Sequence, residues 1–329
     1  MKQSILKFLT SIRKPLFFIG QPFTLLSCAW LKLIRFLGAS KINDRIFMKV
    51  GVLPVLDDYY QPLINPKKHL KKSLREDRII SGIDLNDAEQ LEFLKQFHYN
   101  DEIKQFTVEK VRDGEFYFNN NMFTAGDADY LYNIIRQIKP KRVVEIGSGF
   151  STMMASSAIT KNRTENPNLK FNHICIEPYE RFWLEKLNIE LIRKKVEDLD
   201  VSFFQQLEAN DILFIDSSHV IRPQGDVLYE YEEILPSLKP GVIVHVHDIF
   251  TPKDYPDRWI LDEHHFWNEQ YLLETFLMFN NHFKIIGSLN YLAHHHREAL
   301  AEKCPFFASE QGYEENKREP RSFWMIKTS

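Results

Sequence analysis

From Arg142 onward, short apolar runs alternate with helix-like stretches, and this alternation limits the fold more than any other feature. "RVVEIG" (142–147), "HICIEP" (173–178), "IELIRK" (189–194), "DILFID" (211–216) and "GVIVHVHD" (241–248) have strand length and β-branched texture. "SGFSTMMASSAI" opens a helix after the first run, and "GDVLYEYEEILPSL" carries one after the fourth. "FKIIGSL" (283–289) and "SFWMIK" (322–327) are late strands. Strands alternating with helices argue an α/β fold with a doubly wound, mostly parallel sheet. Ligands of such sheets sit outside the carboxyl ends of the strands, near the switch in strand order. The polar residues of interest all lie at such ends.

Residues 1–120 lack this alternation and form a helical and loop extension. "DLNDAEQLEFLKQFHYNDEIKQF" reads as a helix, with Asn86 or Asp84 as N-cap and Leu91, Phe93, Leu94 and Phe97 on its apolar face. Asp127 to Ile138 reads as a second amphipathic helix, stopped by Pro140. The first 40 residues are apolar with scattered Lys and Arg. Leu16 to Leu31 carries no charge, but Gln21 and Pro22 interrupt it. A spanning helix needs about 20 apolar residues, so the run is short for one. No small-residue cleavage site follows a compact apolar core, which argues against a signal peptide. Two readings stay open: a helical pair packed on the protein's own body, or an in-plane element whose Lys2, Lys7, Arg13, Lys14, Lys32 and Arg35 meet anionic lipid. Peripheral membrane contact through residues 1–40 is the corresponding expectation.

Across 329 residues, 44% hydrophobic and 26% charged, 42 basic side chains nearly balance 45 acidic ones. Nothing in that balance steers the chain to nucleic acid. Three widely spaced cysteines, Cys28, Cys175 and Cys304, suit neither a disulfide framework nor a C-x-x-C zinc site. A reducing compartment is expected: the cytoplasm and, on the lipid-contact reading of residues 1–40, the inner face of the membrane.

In "VVEIGSGFST", Gly147, Ser148 and Gly149 turn the chain from strand into helix, where free N–H groups await a ligand. The third position of a dinucleotide fingerprint is Thr152, not Gly. Glu145, inside the strand, disfavours pyrophosphate and favours a cationic or amino-acid-bearing ligand. Glu177 ends the second strand and is placed to accept the two ribose hydroxyls of an adenosine. After the third strand, Glu197 or Asp198 is placed to meet an adenine amino group.

Together, Glu145, Gly147, Gly149, Glu177 and Asp216 resemble the class I S-adenosylmethionine-dependent methyltransferases over about residues 140–329. The resemblance implies a seven-stranded sheet with its last strand antiparallel, and a methyltransferase domain over 121–329. "YYQPLINP", "FIDSSHV", "HVHDIFTPKDYP" and "FWNEQYLLETFLMFN" are similar to a bacterial subfamily related to catechol and macrolide-sugar O-methyltransferases. In metal-dependent members, one carboxylate ends strand four, two adjacent polar ligands end strand five, and a basic residue follows the first carboxylate by three positions. Those places match Asp216, then His247 with Asp248, then His219. The strand-five pair is His-Asp here and the base is His, so Mg²⁺ or a transition metal fits the set. His219 is the expected base, and Asp248 its orienting carboxylate. The implied reaction is O-methylation of a hydroxyl on a sugar or glycan-like acceptor.

Two other classes compete: a nicotinamide-dependent oxidoreductase, and a non-catalytic cofactor fold at the membrane surface. His245 shares a strand face with His247 but lies inside an apolar run, so it reads as a hydrogen-bonded core histidine. "EHHFWNEQ" and "AHHH" read as helix and loop surface. Trp259, Phe266, Trp267 and Tyr271 read as a lid or core over the pocket. "NNNMF" (119–123) is expected to close over the cofactor.

Overall fold

The structure, a computed structural model, describes residues 2–38, 41–180, 183–309 and 319–329. The chain forms two compact units, residues 1–71 and 72–329. The expected boundary at 120 therefore moves to 71. Its cause is packing: Leu94, Phe97, Ile103, Phe116 and Phe118 are buried in the same core as the sheet.

The first unit contains helix α1 (Lys2–Phe36) and helix α2 (Lys41–Val50). Pro15 and Pro22 both lie inside α1, so the interruption expected at Gln21–Pro22 does not occur.

The second unit is built on seven strands: β1 (Arg142–Ile146), β2 (Asn172–Ile176), β3 (Glu190–Ile192), β4 (Ile212–Ile215), β5 (Ile243–Val246), β6 (Phe283–Ser288) and β7 (Phe323–Lys327). Their order is β3-β2-β1-β4-β5-β7-β6. The first five are parallel, while β7 runs antiparallel to both neighbours. Strand order reverses between β1 and β4, which puts the switch point at the ends of those strands.

Alternation along the strands divides the core in two. Val143, Ile212, Phe214 and Ile243 join one apolar cluster, with helices Asp127–Ile138 and Phe150–Glu165 against it. Val144, Ile146, Leu213 and Ile215 join the other, with the helical run Asp226–Ser237 and helix Glu269–Leu277. The helix expected over 127–138 spans those residues. The expected run 189–194 shortens to the three-residue β3. On the 72–120 side, helix Asp87–Lys95 follows Asn86, whose side chain bonds Glu89 and the Ile285 carbonyl instead of capping the helix.

Candidate functional site

At the end of β1 the chain turns at Gly147, with φ +80°. A Cβ there would lie 2.0 Å from the Asp216 carbonyl oxygen. Glycine is needed because β4 approaches, and also because of the positive φ. A Cβ on Gly149 would instead meet open space. Glu145 is 1% exposed, and protein groups occupy its carboxylate. Ser151 Oγ and Thr152 Oγ1 donate to it at 3.1 and 2.8 Å, and His173 Nε2 makes a short hydrogen bond to it. Thr152 Oγ1 in turn accepts from Gly149 N at 3.0 Å. Glu145 thus fixes the turn from beneath and does not line the cleft beside it. Thr152, which breaks the dinucleotide fingerprint, is the link in that chain.

The cleft lies across the ends of β1, β2 and β4 and has a volume of about 320 Å³. Gly147, Glu177, Glu197, Asp216, Arg222 and Asp226 are among its lining residues. Glu177 Oε1 accepts from Tyr179 N at 2.9 Å and Oε2 from Ser148 N at 3.3 Å. Of the two candidates after β3, Glu197 reaches the cleft, while Asp198 is exposed outside it. Ser148 is buried, with its Oγ unpartnered, and does not line the cleft.

Asp216 is shared between this cleft and a second group of polar side chains at the ends of β4 and β5. Its side chain is 36% exposed. His219 Nε2 lies 3.3 Å from Asp216 Oδ1 and 3.3 Å from Asp248 Oδ2. On the other side of the ring, Nδ1 is 2.7 Å from Glu269 Oε2. His247 Nδ1 is 3.4 Å from Asp216 and 3.6 Å from Asp248, and its Nε2 is 3.6 Å from Asp127 Oδ2. Arg321 Nε meets Asp248 Oδ1 at 2.7 Å. Each imidazole thus has one nitrogen turned to the Asp216–Asp248 pair and the other to a further carboxylate.

The charges are interdependent. Burial pushes the His219 pKa down, but Asp216, Glu269 and Asp248 outweigh it and hold the ring well above its ordinary value. For His247 the same opposition, with Asp248, Asp216 and Asp127, leaves it at about 10. Desolvation pushes the Asp216 carboxyl up, yet His247 and His219 hold it well below the usual carboxylate range. Glu269, fully buried, is raised by that burial against the pull of His219 and Tyr231. Backbone strain gathers at the same place: His219 has φ +61° and Asp248 φ +59°. Such conformations persist only where surrounding contacts over-determine them.

His245 stands apart. Its Nε2 lies 2.9 Å from Ser322 Oγ, and its ring stacks on Phe214 at 3.7 Å. Burial and the charge of His247 hold it well below its ordinary pKa. It is a core histidine, on the face it shares with His247.

The segment after β5 forms a small aromatic cluster of its own. Phe250, Tyr255 and Ile260 are buried, with Trp259, Phe266 and Trp267 packed around them. Trp267 lies 4.5 Å from the His219 ring, and Arg321 sits over Trp259 at 5.5 Å. In the 119–123 loop, Phe123 packs on His247 at 5.3 Å, and Met122 O accepts from Arg321 at 2.6 Å. That loop therefore abuts the β5 end. His294, His295 and His296 pair separately with Glu319, Asp77 and Asp87. His264 and His265 are exposed. None of the five joins a ligand cluster among the described residues.

Glu269, Asp127 and Arg321 were not found from the sequence. Glu269 and Asp127 each start a helix, where an acidic residue reads as a favourable end charge. Arg321 precedes a strand as one more surface cation.

Residues 144–249 match the family model described as a methyltransferase domain. An uncharacterized protein of Archaeoglobus fulgidus is 33% identical over 182 residues, spanning 52% of this chain and 80% of that protein. A solved structure of a putative protein-L-isoaspartate O-methyltransferase from Plasmodium falciparum, in complex with S-adenosyl-L-homocysteine, is similar at 16% identity and a TM-score of 0.26. That likeness covers 49% of this chain and 77% of the other. The chain belongs to one family with the archaeal protein, and the stretch that carries β1 to β5 is a methyltransferase domain.

Proposed function

We propose that this domain uses S-adenosylmethionine to methylate a hydroxyl of a sugar or glycan-like acceptor. The observation that carries the reading is Asp216, which lines the cleft and also lies within 3.4 Å of both His219 and His247. Glu177 at the β2 end and the open space over Gly149 suit the adenosine and amino-acid parts of that cofactor. When bound, it would supply a sulfonium methyl, electrophilic without further activation. The protein must then align the acceptor oxygen with that methyl and remove the hydroxyl proton.

His219 is the residue we assign to the proton. Glu269 holds Nδ1, which directs Nε2 toward Asp216 and the cleft side. While both aspartates face Nε2 the ring stays protonated, so its service as base requires their charge to be engaged elsewhere. The donor set suits a divalent cation. Ligand atoms of Asp216, His219 and Asp248 lie within 4.8 Å of one another, and His247 Nδ1 borders the same two aspartates. Asp216, Asp248 and His247 would hold such an ion, with Asp127 facing the far nitrogen of His247. The ion would supply positive charge to the acceptor oxygen. Carboxylate plus imidazole accommodates Mg²⁺ less well than a transition metal.

The sugar acceptor rests on the resemblance alone; the aromatic segment is placed to wall its side of the site, because Trp267 packs on His219 and Arg321 lies over Trp259. The methyltransferase-domain match and Thr152 in place of the third glycine leave the nicotinamide alternative without support. Incubation with methyl-labelled S-adenosylmethionine and a cell-envelope glycan extract tests the proposal, with and without a chelator. Labelled glycan is expected, and chelator should abolish the label. Cofactor binding without transfer to any fraction would favour the non-catalytic alternative. Transfer that ignores chelator would remove the ion and, because Asp216 and Asp248 then keep His219 protonated, the assignment of His219 as base with it.

A further inference from the structure

We infer that α1 crosses a lipid bilayer between Arg13 and Phe36 and anchors the methyltransferase to it. Among the described residues this 24-residue stretch is long and apolar enough to span, and nearly all of it is exposed. At about 1.5 Å per residue it reaches about 36 Å, against a hydrocarbon core of about 30 Å.

Distribution around the helix separates spanning from lying in the surface. Phe17, Phe18 and Ile19 are consecutive, so they point to three different sides, and each is more than 60% exposed. Phe23, Leu25 and Leu26 are exposed to the same degree. An in-plane helix keeps a strongly polar face for water, and α1 has none from Pro15 to Leu31. Its polar residues in that stretch are uncharged, and one of them is satisfied within the helix: Thr24 Oγ1 donates to the Gly20 carbonyl at 3.3 Å. Pro22 leaves the Phe18 carbonyl without its usual helical donor, a feature that membrane-spanning helices tolerate. Basic residues flank the run at both ends, Arg13 and Lys14 before it and Lys32 and Arg35 after it, which suits anionic headgroups. A helix packed on protein would bury one of these faces, and α1 buries only Ile34 among its described side chains.

The test uses the full chain in bacterial membranes. Cys28 is the one exposed cysteine, since Cys175 and Cys304 are buried. It follows Gln21 by seven residues and Thr24 by four, so it lies on the least apolar side of α1, the side an in-plane helix would turn to water. We expect the protein to stay in the membrane pellet through high salt and alkaline carbonate. Cys28 should resist a membrane-impermeant maleimide until detergent is added, then react at least about tenfold faster. Leu25→Arg combined with Leu26→Arg should raise the soluble fraction at least about tenfold, with the thermal transition of the second unit unchanged. Release by salt or carbonate would overturn the inference in favour of a surface helix, as would labelling of Cys28 in intact membranes. An intact mass lacking the first helix would overturn it in favour of a cleaved leader.

Discussion

Two clusters in this domain contain the same kinds of side chain in different surroundings. Glu145, His173 and Cys175 lie beneath the turn at the end of β1; Asp216, His219 and Asp248 lie at the ends of β4 and β5. In both, three ligand-type atoms fall within 4.8 Å of one another. In the first cluster the carboxylate is spent on protein partners, and the unpartnered atom is His173 Nδ1, on the far side of the ring. Glu145 is matched by His173, Ser151 and Thr152, and burial with the Glu145 charge pushes the Cys175 thiol up, so the thiol keeps its proton. The second holds more carboxylate than its hydrogen bonds use, sits on two strained residues, and opens through Asp216 to a cleft. Residue type alone does not separate a positioning cluster from a reactive one. Satisfaction, strain and access do.

The sharpest way to break this contrast is to remove charge from the open cluster without changing its shape. Asp216→Asn should lower methyl transfer about 10³-fold, equivalent to about 4 kcal/mol of transition-state stabilisation. Its thermal transition should stay close to that of the parent, because the lost carboxylate is a third exposed and works on the cleft side. Transfer within tenfold of the parent would put the reactive site elsewhere.

Glu145→Ala should behave in the opposite sense. It leaves His173, Ser151 and Thr152 without their shared acceptor in a buried place. The expected cost is about 3 kcal/mol of folding stability, seen as a lower denaturant midpoint. Cofactor affinity should fall only through the loosened Gly149 turn. A variant with unchanged stability and lost transfer would make Glu145 part of the reactive machinery and erase the contrast.

Much of the open cluster was legible in the sequence. The grouping of Asp216, His219, His247 and Asp248 comes from the resemblance to metal-dependent O-methyltransferases; the apolar runs add only that they lie at strand ends, which parallel strands bring to one edge. His245 and His247 on one face followed from the period of two. What stayed hidden depends on tertiary approach. Gly147 reads from the string as a turn residue and does line the cleft, but nothing in the string shows that the Asp216 carbonyl also requires it. Glu145 looked like a group facing a cationic ligand, because nothing in the string shows that Ser151 and Thr152 fold back on it. Asp198 and Glu197 are adjacent, and only the short 3-10 turn after β3 decides which of them reaches the cleft. Glu269 joins His219 across 50 positions.

That hidden partner gives the next test. Glu269→Gln keeps the volume and an acceptor for His219 Nδ1 but removes the charge. Glu269 is fully buried and does not line the cleft, so S-adenosylmethionine affinity should be unchanged. The turnover number should fall about 10²-fold, as expected when a base loses its orienting carboxylate. Equal losses in affinity and turnover would make Glu269 a packing residue only.

The smallest effect concerns a third buried acid, which marks the border between the two kinds of cluster. Asp127 and Asp129 begin the same helix and face different partners. Asp127 accepts from the backbone of Arg321 and Ser322 and borders His247. Asp129 accepts from Gly126 N and Phe306 N and, among the described residues, pairs with no cation. Complete burial, with the nearby Asp127 charge, raises the Asp129 carboxyl from 3.8 to about 7 against those two donors. An acid raised in the folded state binds its proton there after the unfolded chain has lost it. Stability therefore declines as pH rises from about 4 to about 7 and is level above that. Asp129→Asn removes this proton and with it that part of the slope. Melting curves of the two proteins should converge or cross as pH rises through this window, the wild type losing ground to the variant. Parallel curves would mean that Asp129 is already ionised at low pH and is as fully compensated as Glu145.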